Sequence, residues 1–259
     1  TCCVSPGACT ALILDTDLLV LVGLYKQKHG YRWLRHVYLV GLWQQPLLEG
    51  ASNPAGEKPD QYGEKIVQFS KNEHKAPDIM AVNPRGQVPT FKHGNIVVNE
   101  SLAACIYLEE TFKGQGVQLI PDNAAEKAVV LQRFHEAPIN FSSKMVEQIF
   151  HWLRSKPNDE EELKKRKKAL ADELKLWEGY LAEIGDGAYI AGKQFSLADT
   201  TFFSFLAFAV RCGLQLDATV PNLKAYYERV KQRPSVQTTW PPHWKESAGQ
   251  DILTGIFDL

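Results

Sequence analysis

The sequence predicts two domains of different class, an α/β domain followed by an all-α domain. Residues 65–112 combine short β-type runs with helical periodicity, whereas the apolar residues after Pro121 recur only at helical spacing. The glycine-rich residues 113–118 separate these two patterns and are typical of a linker. We therefore predict an α/β domain, a linker and an all-α domain at residues 1–112, 113–122 and 123–259, respectively.

The composition excludes several classes of protein. With 259 residues, of which 44% are hydrophobic and 23% charged, the chain is long enough for two packed cores. The 29 basic and 30 acidic side chains nearly cancel, so we expect neither nucleic-acid nor membrane partners. The five cysteines are scattered without zinc-site spacing, which indicates no metal and a reducing compartment, by default the cytoplasm. The apolar residues 18–25 fall far short of the roughly 20 that span a bilayer.

The elements of the first domain follow in the order strand, helix, hairpin, helix. Residues 65–69 have the composition of a strand, and residues 75–82 that of a short helix or turn. Residues 88–91 and 96–98 predict an antiparallel hairpin, and residues 101–112 predict a helix. This order is typical of the second half of a thioredoxin-like domain. We expect its first strand and helix upstream of residue 65.

The second domain is predicted to be helical throughout. Residues 123–153 form one long helical pattern, which we expect to bend or break at Pro138. Residues 160–184 carry an apolar stripe opposite a face rich in lysine and arginine. Ser196 and Asp199 form a capping-box pattern before a very apolar helix, and we assign them no chemistry.

Residues 83–91, Asn-Pro-Arg-Gly-Gln-Val-Pro-Thr-Phe, have the features of a peptide-binding edge. Pro89 lacks an N–H, so the strand pairing at Val88 cannot continue along its own sheet. We predict a cis Val88–Pro89 bond, which leaves the N–H and C=O of Val88 facing outward. An extended peptide could then pair with Val88 as an added strand.

The residues after the predicted hairpin favour an amino-acid head group. Glu100 and Ser101 open a helix, whose free N–H groups favour a carboxylate, and Glu100 can bind an ammonium group. A ligand with a peptide middle and an amino-acid head matches this arrangement. Glutathione is such a molecule.

In these residues the chain resembles the cytosolic glutathione transferases, most closely the rho class. The resemblance runs from about residue 61 to residue 251 and depends on the order and spacing of six motifs. These are residues 69–75, 83–91, 99–101, 119–122, 191–199 and 240–244. The resemblance implies a homodimer of glutathione-transferase fold that uses glutathione and a hydrophobic electrophile.

The resemblance also assigns further contacts. It implies that His74 or Lys75 meets the glycine carboxylate of glutathione and that Gln87 adds an amide. Phe134, Phe141 and Met145 have the spacing of one helix face, which is usually core. In the family, the same helix lines the electrophile pocket.

The first sixty residues mostly do not match the family. Residues 4–10 resemble the strand-to-helix turn that follows the first strand of the transferase fold. Ser5 is the candidate hydroxyl for stabilising the glutathione thiolate, with Cys9 as the alternative. Equally, Ser5 fits a turn residue before proline, and Cys9 a small buried side chain. Residues 15–55 fit neither pattern, so we expect an insertion, a retained intron or an alternative exon that loops out of the domain.

These observations favour a glutathione transferase that conjugates the glutathione thiolate to hydrophobic electrophiles for detoxification. One alternative is a non-catalytic, transferase-like binding or scaffold protein whose catalytic βα unit is damaged. Another is a glutathione-dependent thiol reductase or isomerase on the same fold. Turnover of an aromatic electrophile separates the first two, and dependence on Cys9 identifies the third.

Overall fold

The chain forms two compact units in the computed structural model. The structure describes residues 10–14, 24–27, 30–33, 62–67, 71–93, 95–111, 113–114, 117–155, 159–241, 244 and 249–259. The first unit comprises Thr1–Gln118 and Pro234–Trp240, and the second comprises Leu119–Arg233 and Pro241–Leu259. The division at Gln118 falls inside the predicted linker, whereas Pro234–Trp240 groups with the first unit although its sequence pattern placed it in the all-α domain.

The first unit contains a sheet of six described strands in the order β3-β2-β4-β1-β5-β6. The strands β1 to β6 are Thr10–Leu14, Leu24–Gln27, Gly30–Trp33, Tyr62–Val67, Thr90–His93 and Ile96–Val98. β1 pairs in parallel with β4, and the other pairs are antiparallel. A parallel neighbour is what a strand–crossover–strand unit produces. The predicted upstream strand is therefore confirmed, while its helix lies outside the described residues.

Two strands of this sheet come from the segment that the sequence pattern set apart, residues 15–55. β2 and β3 pair with each other, and β2 also pairs with β4 through Leu24 opposite Gly63. The expectation that residues 15–55 loop away from the sheet is therefore wrong for these two strands. Alternating hydrophobicity is weak in four-residue strands, so the sequence did not reveal this pairing. The rest of the segment lies outside the described residues.

The remaining elements of the first unit lie close to their predicted positions. A 3₁₀ turn, Glu73–Lys75, leads into helix α1, Pro77–Met80, and helix α2 is Ser101–Thr111. β5 begins at Thr90 rather than at Val88, because the residues before it form an irregular loop. Val67 and Ile79 are fully buried in a small core.

The second unit is helical. Its helices α3 to α8 are Ala124–Glu136, Ser143–Met145, Trp152–Ser155, Glu160–Ile184, Leu197–Arg211 and Pro221–Lys231. Helix α9, Pro234–Thr239, groups with the first unit. The predicted bounds of α6 are confirmed. Asp159 caps its start by accepting a hydrogen bond from the N–H of Glu162 at 3.0 Å, and Gly185 follows its end with a φ of 84°.

The predicted long helix does not end at Pro138 but changes its geometry there. Two π-helical segments, Ala137–Ser142 and Val146–His151, join α3, α4 and α5. Ala137, Phe141, Met145 and Ile149 are all fully buried at a spacing of four residues. Four residues advance an ordinary α-helix by about 40° beyond one turn, so such a row would rotate out of the core. The wider π turns keep these side chains inward.

The capping box before α7 is confirmed. The Asp199 carboxylate accepts hydrogen bonds from the N–H of Ser196 at 2.8 Å and from its hydroxyl at 2.9 Å. It also accepts one from the N–H of Ile190 at 2.9 Å. α7 is buried from Leu197 to Ala209, so Asp199 organises the start of the central helix of this unit.

Candidate functional site

The sheet register brings the two predicted binding segments to one edge. Phe91 on β5 lies opposite Val98 on β6, and these strands are antiparallel. Pro89 comes two residues before Phe91, and Glu100 comes two residues after Val98. Both segments therefore leave the sheet at the same end of neighbouring strands.

The predicted cis bond is confirmed at Val88–Pro89. Pro89 is buried, and the half-buried side chain of Val88 packs against Val67 and Ile79. The main-chain N–H and C=O of Val88 form no hydrogen bond with any residue that the structure describes. Val88 is thus anchored through its side chain, while its peptide groups are left for a ligand to pair with.

Glu100 and Ser101 stand at the start of α2. Ser101 is the first helical residue, and the carbonyl of Glu100 accepts the N–H of Ala104 at 2.9 Å. The side chain of Glu100 is exposed, and that of Ser101 is half-buried. No described basic side chain forms an ion pair with Glu100. The first N–H groups of a helix attract an anion, and a free carboxylate beside them attracts a cation.

The three other predicted contacts lie on the segment before the cis bond. His74 and Lys75 belong to the 3₁₀ turn, where His74 is half-buried and Lys75 is exposed. The Lys75 ammonium donates to the carbonyl of Arg85 at 2.7 Å, which leaves two of its three N–H bonds for other partners. Gln87 is exposed one residue before Val88. All three roles stay predictions.

The loop before β5 is held by an asparagine that the sequence analysis did not assign. Asn83 is fully buried, and its Nδ2 donates to the carbonyl of Gln87 at 2.7 Å and to Oγ1 of Thr90 at 3.1 Å. Its Oδ1 accepts the N–H of Arg85 at 3.1 Å. An Asn-Pro pair is typical of a turn, and only the structure shows that this side chain spans the loop.

A second unassigned asparagine lies directly before Glu100. Nδ2 of Asn99 donates to the carbonyl of Val82 at 3.1 Å. Oδ1 of Asn99 is buried and has no hydrogen-bond partner among the described residues. Asn99 has no periodic or motif signal beyond its place in the Asn-Glu-Ser triplet.

Ser5 and Cys9 lie outside the described residues, and their assignment as catalytic residues stays a prediction. The predicted turn at residues 4–10 is wrong for Thr10, because Thr10 is the first residue of β1. Leu12 of β1 lies opposite Thr90, and the two strands are antiparallel. The C-terminal end of β1, and not the end that follows Cys9, therefore borders the edge with Pro89 and Glu100.

The aromatic stripe of the long helix belongs to the core. Phe134, Phe141 and Met145 are each fully buried, and Phe141 lies 5.5 Å from Phe202 between ring centroids. These side chains support the helix rather than form an open pocket wall. In the part of the chain that the structure describes, no group of three or more His, Cys, Asp or Glu side chains could hold a metal ion. No described helix combines the length and apolarity needed to cross a membrane.

Comparison with known proteins identifies the family. Residues 36–110 match the glutathione S-transferase N-terminal domain, and residues 143–238 match the glutathione S-transferase C-terminal domain. Glutathione S-transferase A of Pleuronectes platessa is 46% identical over 198 residues, which cover 75% of this chain and 87% of that protein. The chain belongs to the glutathione transferase family. Residues 36–55, part of the segment that did not resemble the family, fall within its N-terminal domain match.

Solved structures have the same fold. A glutathione S-transferase from the Antarctic clam Laternula elliptica superposes with a TM-score of 0.75 at 33% identity, covering 96% of this chain and 99% of that one. A glutathione transferase homologue from Drosophila mojavensis, solved with bound glutathione, has a TM-score of 0.63 at 19% identity. It covers 90% of this chain and 92% of that one. The predicted fold, a thioredoxin-like domain followed by an all-α domain, is confirmed.

Proposed function

We propose that this protein is a glutathione transferase, which conjugates the thiolate of glutathione to hydrophobic electrophiles. The single observation that carries this function is the shared sheet edge where the Val88 peptide groups and the start of α2 meet. Val88 offers its backbone groups for pairing with a peptide, and the start of α2 offers helix N–H groups to a carboxylate. Family membership makes glutathione the ligand with these features.

We propose the following binding mode for glutathione. Its cysteinyl peptide pairs with the N–H and C=O of Val88 beside Pro89. Its γ-glutamyl carboxylate binds at Ser101, and its ammonium group binds Glu100. The glycine carboxylate meets His74 or Lys75 near Gln87. This orientation pairs the Glu100 carboxylate with the ammonium group and a basic side chain with the glycine carboxylate, whereas the reverse orientation would lose both charge pairs.

The thiolate of glutathione is the nucleophile in conjugation. A free thiol with a pKa near 8.5 is mostly protonated at neutral pH, so the enzyme must stabilise the thiolate. We propose Ser5 as the hydroxyl that stabilises the thiolate, and Cys9 as the alternative. The resemblance of residues 4–10 to the family turn supports this assignment, whereas the direction of β1 argues against it. The Ser5→Ala and Cys9→Ala variants, assayed side by side, decide between them. A drop confined to Cys9→Ala would favour a thiol reductase or isomerase.

We also propose the finer assignments of rho class, detoxification, cytoplasmic location and homodimer. The motifs shared with the rho class and the 46% identity to a fish enzyme support the class. Ile96 and Val97 are 48% and 39% exposed on β6, at the end of the sheet. An exposed apolar edge strand is normally covered, which supports a homodimer. Light scattering on the purified protein measures its mass in solution.

The proposed function is tested by turnover of chlorodinitrobenzene with glutathione. We expect saturable conjugation and retention of the protein on immobilised glutathione. Retention without turnover would favour the non-catalytic scaffold. A protein that is not retained on immobilised glutathione and shows no turnover would contradict the glutathione site itself.

A further inference from the structure

We propose that Asn83 and Asn99 are positioning residues that join the two halves of the glutathione site. The inference rests on the proposed function. Neither asparagine needs to touch glutathione, because each acts through the main chain of a segment that does. One segment is the loop that carries Gln87 and Val88, and the other is the strand end that carries Glu100.

The first connection lies within the loop before β5. Asn83 uses both N–H bonds of its amide, on the carbonyl of Gln87 at 2.7 Å and on Oγ1 of Thr90 at 3.1 Å. The Thr90 hydroxyl also donates to the carbonyl of Gln87, at 3.2 Å. Two donors therefore converge on the peptide group that leads into Val88. This fixes the plane of the Gln87 carbonyl and with it the direction of the next peptide group.

The second connection lies between the loop and the start of α2. Nδ2 of Asn99 donates to the carbonyl of Val82 at 3.1 Å, and Val82 directly precedes Asn83. Asn99 directly precedes Glu100. The loop that binds the cysteinyl peptide and the helix start that binds the γ-glutamyl end are thus tied by one side-chain hydrogen bond.

The orientation of the Asn99 amide is fixed by this bond. A flipped amide would place Oδ1 against the carbonyl of Val82, which is also an acceptor. The observed orientation leaves Oδ1 buried without a partner among the described residues. The amide is therefore held in the orientation in which Nδ2 donates to Val82, although Oδ1 is buried without a described partner.

A bound glutathione uses both halves at once, so an error in their separation weakens binding of the whole molecule. Binding energy gained at one end is lost when the other end is displaced. The same error hardly affects an electrophile that contacts neither segment. Loss of either asparagine should therefore raise the KM for glutathione selectively.

The experiment compares Asn83→Asp and Asn99→Asp with the wild type. Aspartate keeps the shape of asparagine but cannot donate, so it faces the carbonyls of Gln87 and Val82 with a second acceptor. We expect the KM for glutathione to rise about tenfold in each variant, and the KM for chlorodinitrobenzene to change less than about twofold. Asn140→Asp, at an exposed asparagine of the all-α unit, is the matched control.

The double variant distinguishes positioning from general loss of stability. If both asparagines act on the same separation between the two halves of the site, the double variant should raise the KM for glutathione by clearly less than the product of the single effects. Dissociation constants for S-methylglutathione, which cannot react, should follow the same pattern. Thr90→Val removes the hydroxyl with little change of shape and replaces Asn83→Asp if that variant does not fold.

The outcomes separate this proposal from the proposed function. A wild type that neither binds nor conjugates glutathione contradicts both. A wild type that binds glutathione, with folded variants whose KM for glutathione stays within twofold, overturns the positioning role alone. Equal increases in the KM values for both substrates, or strictly multiplicative effects, would also overturn it.

Discussion

The carboxylate of Glu178, on α6, caps the start of α8 by accepting hydrogen bonds from Asn222. Oε1 of Glu178 accepts hydrogen bonds from the N–H of Asn222 at 3.0 Å and from its Nδ2 at 2.6 Å. Oε2 accepts the N–H of Leu223 at 2.8 Å. α8 has no side-chain cap of its own, because its N-cap residue is Val220. α6 therefore supplies the acceptor and the negative charge that this helix start lacks.

Replacing Glu178 with alanine should destabilise the protein by about 2 kcal/mol, because hydrogen bonds to a charged group are lost and helix N–H groups lose their acceptor. Urea unfolding followed by circular dichroism measures the effect. Glu183→Ala is the matched control, since Glu183 is exposed on the same helix. Equal stability of the two variants would show that the Glu178 cap contributes nothing.

A partly buried ion pair gives a second stability prediction. The ammonium of Lys144 donates to Oε2 of Glu173 at 2.8 Å, and Oε1 of Glu173 accepts Nε1–H of Trp177 at 2.9 Å. The side chain of Glu173 is only 9% exposed, whereas that of Lys144 is 27% exposed. Removing Lys144 leaves an uncompensated buried charge, which costs more than losing the pair as a whole.

We therefore expect Lys144→Met to be less stable than the double variant Lys144→Met/Glu173→Gln. Glutamine keeps an acceptor for Trp177 without the charge, so it should recover at least about 1 kcal/mol. Denaturant titration of both variants provides the comparison. The expectation fails if the second substitution lowers stability further. Lys168→Met, which breaks an exposed pair with Asp172, serves as the control.

Asp199 gives the protein a pH-dependent stability of unusual sign. Burial raises the pKa of this carboxyl from 3.8 to about 6, although hydrogen bonds from Ile190 and Ser196 oppose the shift. Between these two values the folded protein binds the proton more tightly than the unfolded chain does. The contribution of Asp199 therefore falls as the pH rises through this window, and it is constant outside it.

Asp199→Asn removes this titration, so the stability advantage of the wild type over the variant should shrink between pH 4 and 6. The full change corresponds to about 3 kcal/mol for a shift of this size. Urea unfolding at several pH values measures the difference, with Asp186→Asn at an exposed aspartate as the control. An advantage that grows with pH would mean that the hydrogen bonds outweigh burial.

Local rules predicted the parts of the fold in which neighbouring residues decide the outcome. The bounds of α6 follow from Asp159, Gly185 and an apolar stripe between them. The capping box at Asp199 needs only a spacing of three residues. The site edge was predictable for the same reason, since Val88, Pro89 and the start of α2 lie in one short hairpin unit.

Long-range pairing explains what the sequence did not reveal. β2 joins the sheet through pairing with β4, and neither four-residue strand of the β2–β3 hairpin has a strong period. The connection from Asn99 to Val82 depends on a loop returning to the sheet, which no local pattern encodes. Pro138 predicted a disturbance of the helix but not its form, because a π-helical segment and a break both accommodate the hydrogen bond that proline cannot donate.

Ser101→Ala tests the glutathione site most directly. Ser101 is the first residue of α2, beside the carboxylate of Glu100, and the proposed binding mode places the γ-glutamyl carboxylate there. A hydrogen bond to a charged group is worth about 1.5–3 kcal/mol, so the dissociation constant for glutathione should rise roughly 10- to 100-fold. Isothermal titration with S-methylglutathione measures it without turnover. Ser143→Ala, at a half-buried serine of the all-α unit, should leave the affinity unchanged. Unchanged affinity in Ser101→Ala as well would place the γ-glutamyl site elsewhere, because no other described hydroxyl opens α2.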